Sequence, residues 1–210
     1  MTRHLQAHPW HGIPVGDDAP AVVNVFIEIV PADTVKYEID KASGHLKLDR
    51  PQRFSNVCPA PYGFLPQTWC AERVAALAMA RTDHTGVRGD GDPLDVCVLT
   101  ERDITHGAVL VHARPIGGLR LLDGGEADDK IVAVLLDDAA YGGCRDLAEV
   151  PSPLIDRLRH YFLTYKDLPG AADPRRCEIV EVYDAAGAHE VIRASIADYA
   201  AGFPSPRAPT

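Results

Sequence analysis

The sequence predicts a mainly β fold of the α+β class, because short strand-like runs fill its middle and helical patterns follow them. Closing the sheet into a barrel would remove its exposed edges. Six runs of β-branched or alternating apolar residues are separated by Gly, Pro and Asp turns, and they are Val22 to Val30, Val35 to Ile39, His45 to Leu48, Val96 to Leu99, Ala108 to Ala113 and Ile131 to Leu136.

Three segments carry helical signals. The Ala-rich segment Ala71 to Ala80 has high intrinsic helix propensity. Ser152 can cap a helix in which apolar residues recur at helical spacing and which ends before Pro169 and Gly170. A further amphipathic helix fits Glu190 to Tyr199.

The length and composition predict one compact domain spanning residues 1–210, with loose Pro-rich ends at about 1–20 and 202–210. The first thirty residues hold no positively charged stretch followed by an apolar run, and no eighteen apolar residues are consecutive. We therefore expect a cytoplasmic protein without a membrane span.

Charge and cysteine content narrow the function classes. The formal charge of −9 disfavours nonspecific binding to nucleic acid or anionic lipid, which depends on clustered Lys and Arg. The five cysteines are odd in number, scattered and never in a C-x-x-C pair, so we expect reduced thiols and no thiolate zinc site.

Three carboxylates crowd the segment in which the chain enters a predicted strand. Asp90 and Asp92 share one side of an extended chain, and the Gly and Pro beside them can turn Asp95 to that side too. A hard divalent cation with oxygen ligands, naturally Mg²⁺, would relieve their repulsion. The alternative is a solvated Asp-rich turn.

Further charged residues recur elsewhere in the chain. Asp123 to Lys130 reads as a hairpin loop between two apolar runs, for which a solvated loop is the simpler interpretation. Lys36 and Glu38 share a face of a strand, which is usually a wet face. A functional role for Lys36 and Glu38 is indicated more strongly because the chain combines acidic clusters with separated cations and lacks Walker A, Rossmann and G-x-S-x-G signatures. The cations are Lys36, Arg50, Lys130 and Lys166.

Taken together, these segments resemble the soluble family I inorganic pyrophosphatases from about His8 to Lys166. The most specific motif is DGDPLDV at Asp90 to Val96. Motifs in the matching order support it, namely KYEIDKASGHLKLDR (Lys36 to Arg50), PYGFLPQT (Pro61 to Thr68), ARPIGGL (Ala113 to Leu119), DGGEADDK (Asp123 to Lys130) and YKDL (Tyr165 to Leu168).

The resemblance implies a five-stranded, closed OB-like β-barrel with flanking helices, hydrolysis of pyrophosphate to two phosphates, Mg²⁺ as cofactor and a homo-oligomer. Asp92 matches the proton acceptor. The implied metal-side residues are Asp90, Asp95, Asp123, Asp128, Glu28 and Glu38, of which Asp95 and Asp128 would be shared between ions. The implied substrate-side residues are Lys36, Arg50, Tyr62, Tyr165, Lys130 and Lys166.

Three features depart from the family pattern. Cys58 stands where many bacterial members have Tyr, and Pro61 replaces a frequent Asn. The segment between Cys70 and Asp90 is longer than in the compact bacterial enzymes, and it could cover the site or contact another subunit.

Four other functions stay open at the level of sequence. An oligonucleotide-binding barrel is disfavoured by the acidic balance and the 7% aromatic content. A metal-dependent phosphoesterase acting on organic phosphates would share the carboxylates but add an apolar pocket. A calcium-buffering surface, or a diverged non-catalytic metal- and phosphate-binding protein, would bind metal without turnover.

Overall fold

The computed structural model describes residues 6–166 and 177–204, and within these ranges it is mainly β-sheet with three α-helices. The strands are β1 (Val23–Ile29), β2 (Val35–Ile39), β3 (Leu46–Pro51), β4 (Tyr62–Phe64), β5 (Arg88–Gly89), β6 (Asp95–Leu99), β7 (Val109–Asp123), β8 (Glu126–Ala127), β9 (Lys130–Leu135) and β10 (Cys177–Asp184). The helices are α1 (Glu72–Arg81), α2 (Ser152–Thr164) and α3 (Ala185–Gly202), with a 3₁₀ turn at Leu147–Glu149. The predicted α+β class is confirmed.

Strand pairing leads from β1 around the sheet and back to β1. β1 is antiparallel to both β4 and β7, and the connection between these two partners runs through β6 and β9. The β6–β9 pair is parallel, and it places Asp95 beside Lys130. β10 extends β7, whereas β2 and β3 form a separate two-stranded sheet.

β7 is much longer than its predicted run, which ended at Ala113. The strand continues through Pro115 and a register shift at Gly117 as far as Asp123. Proline and paired glycines break the apolar pattern without ending the strand, because a β-bulge accommodates them. β4 and β10 were not predicted either, and β10 follows the undescribed residues 167–176.

The three predicted helices are present, with corrected termini. Ser152 is the first residue of α2 rather than its cap, since Pro151 holds that position without a side-chain hydrogen bond. α3 begins at Ala185, five residues before the predicted start, because the Asp184 carboxylate caps it by accepting from Gly187 N.

The core lies on both faces of the sheet, and every residue of β1 is buried. α1 and α3 cover one face through residues such as Val74 and Val191, and α2 covers the other through Leu158 and Phe162. Among the described residues, no helix is long and apolar enough to cross a membrane.

The N-terminal segment predicted to be loose is packed where the structure describes it. Trp10 is only 3% exposed, and its indole Nε1 donates to Thr68 O at 2.8 Å. Asn24 Nδ2 donates to Pro14 O at 2.9 Å, which ties the segment to β1. Buried aromatic surface and these hydrogen bonds outweigh the high proline content. The Pro-rich C-terminal end lies outside the described residues from position 205 on.

Candidate active site

A cavity of about 190 Å³ opens where β1, β2, β4 and β6 meet the β7–β8 hairpin and the end of α2. Twelve of the thirteen predicted site residues line it, although they come from positions spread over most of the chain. They are Glu28, Lys36, Glu38, Tyr62, Asp90, Asp92, Asp95, Asp123, Asp128, Lys130, Tyr165 and Lys166. The structure therefore brings together what the sequence shows only as separate motifs.

The Asp90 to Asp95 segment reaches the cavity as a turn followed by the first residue of β6. Gly91 has φ +76°, a conformation that suits glycine, and Asp92 N donates to Asp90 Oδ1 at 2.9 Å. Leu94 is buried and anchors the turn, while its N–H donates to Thr68 Oγ1 at 2.9 Å. All three aspartates consequently face the cavity.

The acidic hairpin is a buried part of the site rather than a solvated loop. Gly124 and Gly125 have φ values of +62° and +86° and form the two-residue turn between β7 and β8. Asp123 at the end of β7 is 2% exposed, and its carboxylate accepts from Lys166 Nζ.

Lys130 is the most enclosed cation of the cavity, with an exposed fraction of 2%. Its Nζ donates to the carboxylates of both Asp95 and Asp128. Burial lowers its pKa, but the charges of Asp128 and Asp95 outweigh burial and hold the pKa well above the usual value. Lys130 therefore stays protonated.

The glutamates differ in their surroundings. Glu28 on β1 accepts from Ile39 N at 2.6 Å, and burial raises its pKa to about 8. Glu38 on β2 accepts from Lys36 Nζ at 2.9 Å. Lys36 and Glu38 are half-buried and line the cavity, so this face of β2 is not simply a wet one.

The two tyrosines close the apolar side of the cavity. Tyr62 is paired into the sheet on β4, and burial together with the Asp95 charge raises its pKa well above the usual value. Tyr165 stacks on Tyr161 with ring centroids 5.0 Å apart and also lines the cavity. Tyr165 therefore packs against the core and also faces the cavity.

Arg50 is the predicted residue that does not line the cavity. Its guanidinium binds Asp49 at 2.6 Å, and Cζ lies 6.0 Å from the centroid of the Tyr165 ring. Because Arg50 pairs with Lys36 across the β2–β3 sheet, it lies at the rim of the site. A contact between Arg50 and a ligand stays a prediction.

Two charged residues that the sequence analysis missed also line the cavity. Lys41, just after β2, forms an ion pair with Asp92, and Glu126 on β8 pairs with Arg88 at 3.1 Å. Both belong to the motifs that carry the family resemblance, which was the available signal. A lysine in a turn otherwise looks like any solvated side chain.

The cavity carries more negative charge than its lysines neutralise. Of the residues that the structure describes, eight carboxylates and four lysines line it. Burial first, and then repulsion from Asp128 and Asp95, raise the pKa of Asp90 to about 9. A hard cation with oxygen ligands would relieve that repulsion, so the donor set fits Mg²⁺. Among the described residues, however, no three His, Cys, Asp or Glu side chains are grouped closely enough to hold a metal as they stand.

The departures from the family pattern lie outside the cavity lining. Cys58 is fully buried beneath α2, donates from Sγ to Ala60 O at 3.2 Å and has a pKa raised by burial to about 12. The Pro61 carbonyl accepts from Val98 N at 2.9 Å. The longer segment forms α1, which packs on α3, and β5, which pairs with β8 next to the cavity.

The fold and the cavity together define an α+β protein with an acidic, lysine-bearing site of the kind that binds phosphate groups through cations. The family model described as "Pyrophosphatase: Inorganic pyrophosphatase" matches residues 25–200. The chain belongs to the inorganic pyrophosphatase family.

Individual relatives agree with this assignment. The chain is 50% identical over 196 residues to a protein of Chlamydia trachomatis serovar D named inorganic pyrophosphatase, covering 92% of this chain and 94% of that protein. It is 42% identical over 164 residues to the soluble inorganic pyrophosphatase of Oryza sativa subsp. indica, covering 78% and 68% of the two chains. The crystal structure of inorganic pyrophosphatase from Thermus thermophilus is similar with a TM-score of 0.75 and 32% identity, covering 92% of this chain and 99% of that one.

Proposed function

We propose that this protein hydrolyses inorganic pyrophosphate to two phosphates, with Mg²⁺ as its cofactor and Asp92 as the proton acceptor. The observation that carries the proposal is the convergence of twelve predicted site residues on one cavity in a member of the inorganic pyrophosphatase family. The names of the relatives point to the same substrate.

The carboxylates of the cavity would hold the metal. We assign Asp90, Asp95, Asp123 and Asp128 as ligands, with Glu28 and Glu38 on the same side of the site. Bound Mg²⁺ polarises a phosphoryl oxygen and lowers the pKa of coordinated water. Lys130 and Lys166 now engage three of these aspartates, so their ammonium groups would turn toward the substrate when cations bind.

Asp92 is suited to accept the proton of the attacking water. Its side chain is 49% exposed and faces the cavity, whereas the side chains of Asp123 and Asp128 are much less exposed. A carboxylate is a weak base, but it suffices when the water has been acidified. Hydrolysis then needs no covalent intermediate.

The cations and tyrosines would stabilise the phosphate groups. Lys36, Lys130, Lys166 and Arg50 supply preorganised positive charge for the leaving phosphate, and Tyr62 and Tyr165 can donate neutral hydrogen bonds. Phosphate-type substrates without a large organic group are favoured, because the cavity is small and its lining is dominated by charged side chains.

We extend the proposal to the barrel architecture, the oligomeric state and the cellular compartment. The return of strand pairing from β7 to β1 supports a closed five-stranded barrel of the OB-like type. A homo-oligomer in the cytoplasm that does not bind nucleic acid stays our expectation from the resemblance and the acidic charge.

Phosphate release tests the proposal directly. Purified protein is given pyrophosphate, a nucleoside triphosphate or a sugar phosphate, each with Mg²⁺ and with EDTA. We expect release from pyrophosphate alone, abolished by EDTA. Preferred hydrolysis of a sugar phosphate would favour the phosphoesterase, and metal binding without any release by folded protein would favour a non-catalytic member.

A further inference from the structure

Three buried polar side chains on the side of β9 away from the cavity belong to no function described so far. Asp129 lies between Asp128 and Lys130, which both line the cavity, but is itself absent from its lining. Arg120 on β7 and Tyr183 on β10 surround Asp129. We call Arg120, Asp129 and Tyr183 the rear cluster.

The rear cluster is fully inside the protein. Arg120 and Asp129 are both 2% exposed, and Arg120 Nε lies 3.6 Å from Asp129 Oδ1. Arg120 also binds Glu181 through Nη1, and its Cζ lies 5.0 Å from the centroid of the Tyr183 ring. Among the described residues, Arg120 Nε, Asp129 Oδ1 and the Tyr183 hydroxyl have no hydrogen-bond partner of standard geometry.

Such a cluster is not expected to stabilise the fold more than apolar residues would. Burying an arginine and an aspartate sacrifices their hydration, and well-packed apolar residues in their place often give an equally or more stable protein. Buried polar groups that lack standard partners call for another explanation. A role in fixing the geometry of the adjoining chain accounts for them.

The backbone shows which geometry the rear cluster fixes. Asp128 N donates to Leu121 O at 2.9 Å, and Lys130 is paired with Leu119, so Arg120 lies opposite Asp129 between these two links. Side chains alternate between the two faces of an extended chain. When Asp129 is held on the face away from the cavity, Asp128 and Lys130 therefore point into the cavity.

The position of Tyr183 is itself defined. A Cβ on Gly118 would lie 2.5 Å from the Tyr183 hydroxyl oxygen, so the ring occupies the space that the glycine leaves free. Tyr183 is paired with Gly118 across β10 and β7. The rear cluster thus connects β7 and β10 to the residue that precedes β9, behind the site.

We propose that the rear cluster positions Asp128 and Lys130 for Mg²⁺ and substrate, with Asp129 as the positioning residue. The inference rests on the proposed function for its substrate, but its core claim concerns cation binding. Groups that orient metal ligands from behind typically change metal affinity 10- to 100-fold when altered.

The test uses Asp129→Asn with a matched control, Asp198→Asn. Asp198 on α3 is also 2% exposed and also binds an arginine, Arg73 at 3.0 Å, but it lies outside the cavity lining. Mg²⁺ binding is measured by calorimetry without substrate, the Mg²⁺ dependence of pyrophosphate hydrolysis is measured next, and thermal unfolding is recorded for each protein.

We expect Asp129→Asn to raise the Mg²⁺ dissociation constant about tenfold and to recover most of its kcat at saturating Mg²⁺. Asp198→Asn should lower the unfolding temperature and leave the dissociation constant unchanged. If Asp129→Asn folds poorly, Tyr183→Phe is the second variant, because it removes the hydroxyl oxygen and keeps the ring. We expect it to raise the Mg²⁺ dissociation constant by a smaller factor.

An unchanged Mg²⁺ dissociation constant in Asp129→Asn and Tyr183→Phe would overturn the inference. So would an equal increase in Asp198→Asn, because the effect would then follow from lost stability. If the unaltered protein does not hydrolyse pyrophosphate, the proposed function fails, whereas the calorimetric comparison still decides the role of the rear cluster.

Discussion

Asp92 differs from the carboxylates around it in its accessibility. Its side chain is half exposed and faces Lys41, whereas Asp95 and Asp128 share the buried ammonium of Lys130. A carboxylate that must receive a proton from water and pass it to solvent needs such access. The geometry therefore separates one accessible aspartate from two that are held by Lys130.

Replacing Asp92 by Asn should lower kcat for pyrophosphate by about 10²-fold or more, because the amide cannot accept the proton. The unfolding temperature should change little, since the side chain is exposed. Phosphate release and thermal unfolding measure the two effects. Asp103→Asn, at an exposed aspartate outside the cavity, is the control, and near-normal turnover by Asp92→Asn would contradict the assigned role.

The cysteines should react in the order of their burial. Cys58, Cys70 and Cys97 are buried, and burial raises the pKa of each thiol, that of Cys58 to about 12. The thiolate is the reactive form, so these three should resist iodoacetamide at pH 8 while Cys144 reacts first. Mass spectrometry of the alkylated protein reports each site.

All five cysteines should react in guanidinium, which is the control for that experiment. Native labelling of Cys58 at the rate of Cys144 would show that α2 opens readily. Absence of such labelling would exclude Cys58 as a redox sensor in the folded protein.

The sequence pointed to site residues that lie in motifs, but not to residues whose partners are distant in the chain. Residue patterns singled out Asp90, Asp92 and Asp95, and the resemblance covered all of the predicted cavity residues, but neither pointed to Asp198. Its carboxylate accepts from the backbone N–H groups of Ala71, Arg73 and Val74 and so caps α1 from α3. No local pattern at α1 reveals a cap that lies more than a hundred residues away.

At the scale of elements, apolar periodicity predicted the regular strands but not the irregular or very short ones. β4 is three residues long, and β7 runs through a proline and a bulge. The parallel pairing of β6 with β9 depends on the whole topology, because periodicity specifies faces and not partners. The relation between Asp95 and Lys130 could therefore not be derived from spacing.

Among the described glycines, Gly63 leaves the least room for a side chain. A Cβ there would lie 1.8 Å from Phe26 O, where β4 pairs with β1. Gly63→Ala should cost at least about 3 kcal/mol of unfolding free energy, since backbone atoms cannot move aside as a flexible side chain can. Urea denaturation measures the loss.

Gly86→Ala is the matched control for Gly63→Ala. Gly86 has φ +71°, but a Cβ there meets nothing within 4 Å. Its cost should be about 1 kcal/mol, the strain of a left-handed conformation alone. Equal losses in the two variants would mean that β1 and β4 separate more easily than their packing indicates.

At the scale of the whole molecule, the excess of carboxylates over lysines in the cavity makes the folded state a better cation binder than the unfolded chain. Mg²⁺ at 100 times its dissociation constant should stabilise the fold by about 2.7 kcal/mol. For a chain of this size that corresponds to a rise of about 5–10 °C in unfolding temperature.

Differential scanning fluorimetry with MgCl₂ and with NaCl at equal ionic strength checks this prediction. NaCl should produce a much smaller shift in unfolding temperature, because Na⁺ screens the carboxylates but does not bridge them. Asp95→Ala should shrink the response to MgCl₂ by removing a proposed shared ligand. An identical response of both proteins to the two salts would show that the cavity does not bind Mg²⁺ specifically.

The complete burial of β1 has a consequence for biosynthesis. Its seven residues, VNVFIEI, are a strongly apolar, β-prone segment of the kind that aggregates when exposed. Val23 pairs with Ala113 on β7, so the segment leaves the ribosome long before this partner has been translated. During that interval β4 is the only one of its two partner strands available, so one edge of this hydrophobic strand is exposed, and we expect the nascent chain to depend on chaperone protection.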